Sequence, residues 1–257
     1  MQFKKIGIFD SGIGGLSIAQ QLIDLGVPEI VYYADKAFMP YGNKTPEQIQ
    51  QRCKIIAEKL CKQNVDCIVI ACHTASAYGT EELIKTYPNT PIINVLGPTA
   101  QTAGQITNNK KIGLLATPAT IASKKYTLIL QQLDPTITLY EQACPELALV
   151  IENRINNAFS STEIKRLLTD YLAPLLKNNI DTLILGCTHY DFIKPIVQKL
   201  CGPHVNVITS NECALNPKLF QTGHSTKTTI NVIGNSEQKE KTTNAINALL
   251  GSIGKHN

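Results

Sequence analysis

The feature that most constrains this chain is a strand-like run that occurs twice. Ile68-Val69-Ile70-Ala71-Cys72-His73-Thr74 is echoed by Leu183-Ile184-Leu185-Gly186-Cys187-Thr188-His189. Each is a short apolar stretch, the length of a buried strand, that ends on a small residue and a cysteine. The echo reaches upstream, where Asn64-Val65-Asp66 and Asn179-Ile180-Asp181 stand in the same register. It reaches an opening strand too, since Lys110-Lys111-Ile112-Gly113-Leu114-Leu115-Ala116-Thr117 repeats Lys4-Lys5-Ile6-Gly7-Ile8-Phe9-Asp10-Ser11. Before each cysteine strand comes a long helix, opened by Thr45-Pro46-Glu47 in one half and Ser161-Thr162-Glu163 in the other. Three landmarks repeated in one order indicate two similar halves. Two thiols at equivalent strand ends then point to one site with a cysteine on each side.

Further strands are expected at 29–34, 91–95, 137–140 and 229–233, and helices at 16–25, from Ser76, after Gly97-Pro98, across Glu152, and over 236–250. Strands that alternate with helices require parallel sheets covered on both faces, so the fold class is α/β, doubly wound, with mostly parallel sheets. The last strand and helix are expected to return to the first half. The domains are therefore 1–96 plus 210–257, and 97–209. In such sheets ligands gather beyond the carboxyl ends of the strands. Asp10-Ser11, Asp35, Cys72-His73-Thr74, Thr117 and Cys187-Thr188-His189 all fall at those ends.

Composition excludes several classes. Hydrophobic residues make up 43% and charged residues 17% of 257, as in globular proteins, and no apolar stretch is long enough for a bilayer. The N-terminus enters a strand pattern without a signal-peptide core, which points to the cytoplasm. The net charge of +4 is spread thinly, and the densest run, Glu237-Gln238-Lys239-Glu240-Lys241, mixes signs. No basic stripe with interleaved aromatics is present, which argues against nucleic acid as a partner. Of the eight cysteines none forms a Cys-x-x-Cys pair, so a disulfide framework is not expected. Cys53, Cys61 and Cys67 fall within elements and read as structural.

Packing alone gives no reason for both halves to hold a cysteine at the same strand end. A thiol ionises near pH 8.5 unless a partner helps it, and Asp10 and His189 are the candidates. The hydroxyls of Thr74 and Thr188, with backbone amides at the strand-to-helix turns, suit a carboxylate. Two rivals compete. Gly12-Ile13-Gly14-Gly15 after a first strand, with Asp35 ending the second, matches part of a dinucleotide-binding fingerprint. Ser17 at the third glycine position and Asp10 beside the phosphates count against that oxidoreductase. Cys72, His73, Cys187 and His189 could be a zinc set, but adjacent residues rarely converge on one ion, so no metal is expected.

Asp10-Ser11-Gly-x-Gly-Gly, Pro40-Tyr41-Gly42, Ala71-Cys72-x-Thr74-Ala75-Ser76 and Gly186-Cys187-Thr188-His189-Tyr190 together resemble the glutamate racemases of the aspartate/glutamate racemase family, from residue 5 to about residue 200. The resemblance implies two pseudosymmetric α/β domains with the active site in the cleft between them. It implies a cofactor-independent racemase that interconverts L- and D-glutamate through two cysteines and supplies D-glutamate for peptidoglycan. Aspartate is the alternative substrate. Cys72 would deprotonate D-glutamate with help from Asp10, and Cys187 the L-enantiomer with help from His189. Ser11, Pro40, Tyr41, Gly42, His73, Thr74, Thr117, Thr120 and Thr188 would hold the substrate, and Asp35 and Glu152 match accessory acidic positions. The implied partner is the small-molecule substrate, with a homodimer as one assembly; the non-enzymatic alternative is a binding role, since some members of the family inhibit DNA gyrase. The chain departs from the pattern at His73, where the family usually has asparagine, and at Thr209-Ser210-Asn211, where an acidic, glycine-containing segment is usual.

Overall fold

Alternate residues of each central strand enter different hydrophobic clusters, which is how the period-two geometry of a strand builds a sheet buried on both faces. Ile6, Ile8, Tyr32, Cys67 and Val69 pack on one side, while Phe9, Val31, Tyr33, Ile68 and Ile70 pack on the other. The structure, a computed structural model, describes residues 3–154, 162–220 and 228–249. Its strands are β1 (Lys5–Asp10), β2 (Glu29–Ala34), β3 (Cys67–Ile70), β4 (Ile92–Asn94), β5 (Lys111–Ala116), β6 (Thr138–Ala143), β7 (Thr182–Gly186), β8 (Asn206–Ile208) and β9 (Thr229–Val232). The helices of the first part are α1 (Leu16–Asp24), α2 (Pro46–Cys61), α3 (His73–Thr86) and α4 (Leu96–Ile106). Those of the second are α5 (Pro118–Ala122), α6 (Lys125–Leu133), α7 (Leu147–Glu152), α8 (Thr162–Leu176) and α9 (Lys194–Cys201). Two short turns, α10 (Ser210–Cys213) and α11 (Pro217–Phe220), precede β9, and α12 (Ser236–Leu249) follows it.

The strands form two all-parallel sheets, ordered β4-β3-β1-β2-β9 and β6-β5-β7-β8. With β9 set aside, the two orders are the same: opening strand beside cysteine strand at the centre, second and fourth strands at the flanks. β1 pairs with β3 so that Phe9 faces Ile70, and β5 pairs with β7 so that Ala116 faces Gly186. The carboxyl ends of each central pair therefore lie level, and the turns that leave them emerge side by side.

Two elements begin elsewhere than expected. α3 starts at His73, not Ser76, because the chain turns out of β3 at Cys72, which occupies the N-cap. Gly97 and Pro98 do not precede a helix but lie in the first turn of α4, where a proline lacks no needed hydrogen bond. Ser161 and Leu250, expected at helix ends, lie outside the described residues. Buried Cys53 sits in α2, Cys61 ends it, and Cys67 opens β3.

Candidate active site

The turns after the central strands enclose one narrow cavity of about 20 Å³, room for about one water molecule. Ser11, Pro40, Tyr41, Gly42, Cys72, His73, Thr74, Thr117, Cys187, Thr188 and His189 line it, joined by Met39, Pro145 and Ala148. Both thiols thus face one enclosure although 115 residues separate them in the chain. Asp10, Asp35, Thr120 and Glu152 stand behind the lining.

Cys72 caps α3 and hydrogen-bonds Ser11 Oγ at 3.9 Å. Burial pushes its thiol well up, the Asp10 carboxylate adds to the shift, and the Ala75 amide opposes it. Asp10, fully buried at the end of β1, accepts from the Gly12 amide (2.7 Å) and from Thr188 Oγ1 (3.0 Å). Burial raises its pKa and the charge of His189 works against that rise. The acid expected to serve the first thiol is therefore anchored by the turn that carries the second.

Cys187 precedes a 3-10 helix, Thr188–Ile193, and its Sγ lies 3.8 Å from His189 Nδ1. The other ring nitrogen of His189 lies 2.7 Å from Glu152 Oε2. That oxygen also accepts from the Ile13 amide at 3.0 Å, and Oε1 pairs with Lys36 Nζ at 3.0 Å. Burial opposes a charge on His189, but its bonds to Cys187 and Glu152 outweigh burial and hold its pKa well above 6.5. Burial likewise opposes the Glu152 charge, yet His189 and then Lys36 bring that carboxyl down to about 2. The result is a relay, Lys36–Glu152–His189–Cys187, that runs inward from a partly exposed lysine and keeps a cation beside the second thiol. Glu152 acts on the imidazole and stands behind it.

The glycine turn after β1 has a packing reason. A Cβ on Gly14 would come within 2.6 Å of both His189 Nδ1 and Thr188 Oγ1. The turn after β7 presses against Gly14, Glu152 and Met39 crowd Gly12, and Tyr32, Ala71 and Asp10 crowd Gly15, so each glycine has a packing reason and the case for a phosphate cradle falls away. The Thr74, Thr117 and Thr120 hydroxyls form a triangle with sides of 2.9 Å, one from α3 and two from the start of α5. Such a cluster can donate or accept as an incoming carboxylate or ammonium demands. His73 directs Nδ1 at Tyr126 Oη (2.8 Å), and burial lowers its pKa to about 3. Asp35 does not line the cavity. Its two oxygens are each 2.5 Å from Arg52, and one also accepts from Tyr41 Oη at 2.7 Å, so the acid holds the cavity's tyrosine in place.

Arg52, Lys36, Tyr126 and Met39 carry no signal in the sequence. Lys36 merely follows Asp35, and the other three acquire a role only through packing. Among the described residues no group of three or more His, Cys, Asp and Glu is disposed to hold a metal ion. His73 and His189 are directed at Tyr126 and Glu152.

A sequence profile described as Asp/Glu/hydantoin racemase matches residues 16–216. A glutamate racemase of Sulfurihydrogenibium sp. (strain YO3AOP1) is 42% identical over 209 residues, 80% of this chain and 78% of that protein. Among solved structures, a glutamate racemase isoform of Bacillus anthracis superposes with a TM-score of 0.83 at 31% identity, covering 96% of this chain and 94% of that one. The glutamate racemase of Francisella tularensis subsp. tularensis SCHU S4, solved in complex with D-glutamate, gives 0.81 at 29% identity, with the same coverage of 96% and 94%.

Proposed function

Since the chain belongs to the Asp/Glu/hydantoin racemase family, we propose that it interconverts L- and D-glutamate by passing a proton between two cysteines, without a cofactor. The observation that carries this reading is the placement of Cys72 and Cys187 on one cavity, at equivalent strand ends of two sheets of matching order. Racemisation needs a base on one face of Cα and an acid on the other, with roles exchanged by direction. Cys72 takes the proton of D-glutamate, assisted by Asp10, and Cys187 that of the L-enantiomer, assisted by His189 through Glu152 and Lys36. The buried thiol of Cys72 needs a positive neighbour to ionise, and the substrate ammonium supplies one. Ser11, the threonine hydroxyls and the amides that open α3 and α5 hold the carboxylates, and a dry, dipole-lined cavity steadies the carbanion.

The cavity is smaller than an amino acid, so the two units part to admit substrate. We take those units as 1–96 plus 210–257 and 97–209. In support, the change of core falls between Val95, in the first sheet's cluster, and Leu96, in the second's, one residue before that boundary, while Ala214, Leu215 and Phe220 return to the first. The product would serve peptidoglycan synthesis in the cytoplasm. No helix among the described residues is long and apolar enough to cross a membrane.

The test is circular dichroism of D- and L-glutamate and of both aspartates with purified enzyme. Cys72→Ser and Cys187→Ser should each lose at least about 100-fold in rate, as removal of a proton-transfer group does. Either variant racemising at full rate in both directions would refute the two-thiol mechanism. A faster reaction with aspartate would reassign the substrate.

A further inference from the structure

His73 opens α3, beside the first sheet, and Tyr126 lies on α6, beside the second, so their contact bridges the cleft. The rings stack with centroids 6.0 Å apart at 22°, and Tyr126 Oη lies 2.8 Å from His73 Nδ1. Each residue is 1% exposed. His73 Nε2 is buried and has no hydrogen-bond partner among the described residues, although His73 lines the cavity of the two thiols.

A neutral imidazole has one N–H and one lone pair, and its surroundings decide which nitrogen carries which. Burial keeps His73 neutral, with a pKa near 3, and keeps the Tyr126 phenol protonated by raising its pKa well above 10. That hydroxyl needs an acceptor, and its partner among the described residues is Nδ1. The lone pair therefore belongs on Nδ1 and the proton on Nε2. The opposite tautomer would leave a buried O–H without an acceptor.

We propose that Tyr126 is a positioning residue: it fixes His73 as the Nε2–H tautomer, so that a neutral donor of one fixed sense meets a carboxylate oxygen of the bound amino acid. This rests on the reading of the cavity as a racemase site. The threonine hydroxyls beside it rotate between donor and acceptor roles, and His73 does not once Tyr126 has set it. The donor also costs no additional cation near Cys72. Because Tyr126 comes from across the cleft, the donor is fixed only when both sides are together.

The experiment combines ¹⁵N spectra of the His73 ring in the wild-type enzyme with KM and kcat for Tyr126→Phe, His73→Asn and the double variant. The spectra should show the proton on Nε2. Tyr126→Phe keeps the ring packing and should raise KM about 3- to 10-fold, the range of one hydrogen bond, with a smaller change in kcat. In the His73→Asn background, whose amide donates without help, the same change should alter KM less than about twofold. A proton on Nδ1 in the wild type overturns the proposal, as does a Tyr126→Phe effect of equal size in both backgrounds. A wild-type enzyme that racemises nothing would refute the functional reading and the positioning role with it, and the nitrogen shifts would still judge the tautomer.

Discussion

A carboxylate largely withdrawn from water is tolerable only with partners, and Glu152 has three in His189, the Ile13 amide and Lys36. Its pKa, held at about 2 against an ordinary 4.5, means a stabilising contribution that is present above pH 4.5 and lost as pH falls through about 2. His189 is shifted the other way, so its contribution is present below pH 6.5 and lost as pH rises through its higher folded value. The pair therefore stabilises most between pH 4.5 and 6.5. Glu152→Gln should cost most unfolding free energy in that window and less at pH 3 and at pH 9, as denaturant titrations at the three pH values would show. The same variant lets His189 lose its proton more easily. The alkaline limb of the L-glutamate rate profile should then move to lower pH, and an unmoved limb would remove Glu152 from the proton path.

The elements owe their ends to local chemistry where a cap is strong and to packing where it is not. Thr45 accepts from the Gln48 amide while Gln48 bonds back to Thr45, with Pro46 in the first turn. The cap and the proline were legible in Thr45-Pro46-Glu47, the return bond from Gln48 was not, and Thr45→Ala should cost about 1 kcal/mol in a urea titration. The start of α3 was not legible, because Cys72, at its N-cap, makes no side-chain cap hydrogen bond. The glycine turn before α1 belongs to the same class. Nothing in its own residues tells of Thr188 and His189 pressing on Gly14. Gly14→Ala would drive that second turn back by a fraction of an ångström or more. Racemisation should fall about 100-fold, while far-ultraviolet circular dichroism shows the helices intact; normal activity would show that the two turns can part without harm.

Across the whole molecule the cleft is closed by polar groups as well as by shape. Asp191, two residues past His189, accepts from Ser17 on α1 at 2.9 Å, from Ser210 at 3.0 Å and from the Asn211 amide at 3.3 Å. Burial raises its pKa to about 7, against the pull of those donors. Relative to an ordinary 3.8, this raised acid contributes stability present below pH 3.8 and lost as pH rises through 7. Asp191→Asn, which imitates the protonated acid, should gain in Tm over the wild type between pH 4 and pH 7 and hold a constant difference above it. A difference that does not change with pH would mean that Asp191 is ionised throughout.

The sequence by itself determined the repeat, the α/β class and the placement of both cysteines at strand ends, because buried parallel strands write continuous apolar runs into the chain and turns follow them with small or polar residues. It also marked Asp10, His189 and the threonines, which neighbour those ends in sequence. Only the tertiary structure decided which of these groups meet: that Thr188 anchors Asp10, that Glu152 and Lys36 stand behind His189, that Asp35 is bound to Arg52, and that Tyr126 sets His73. Asp35 and Arg52 stand 17 residues apart and the other pairs at least 37, and hydrogen bonds across such separations leave no period or spacing in the sequence. Thr188 meets Asp10, Lys36 meets Glu152 and Tyr126 meets His73 because two similar sheets bring their carboxyl edges to one cavity.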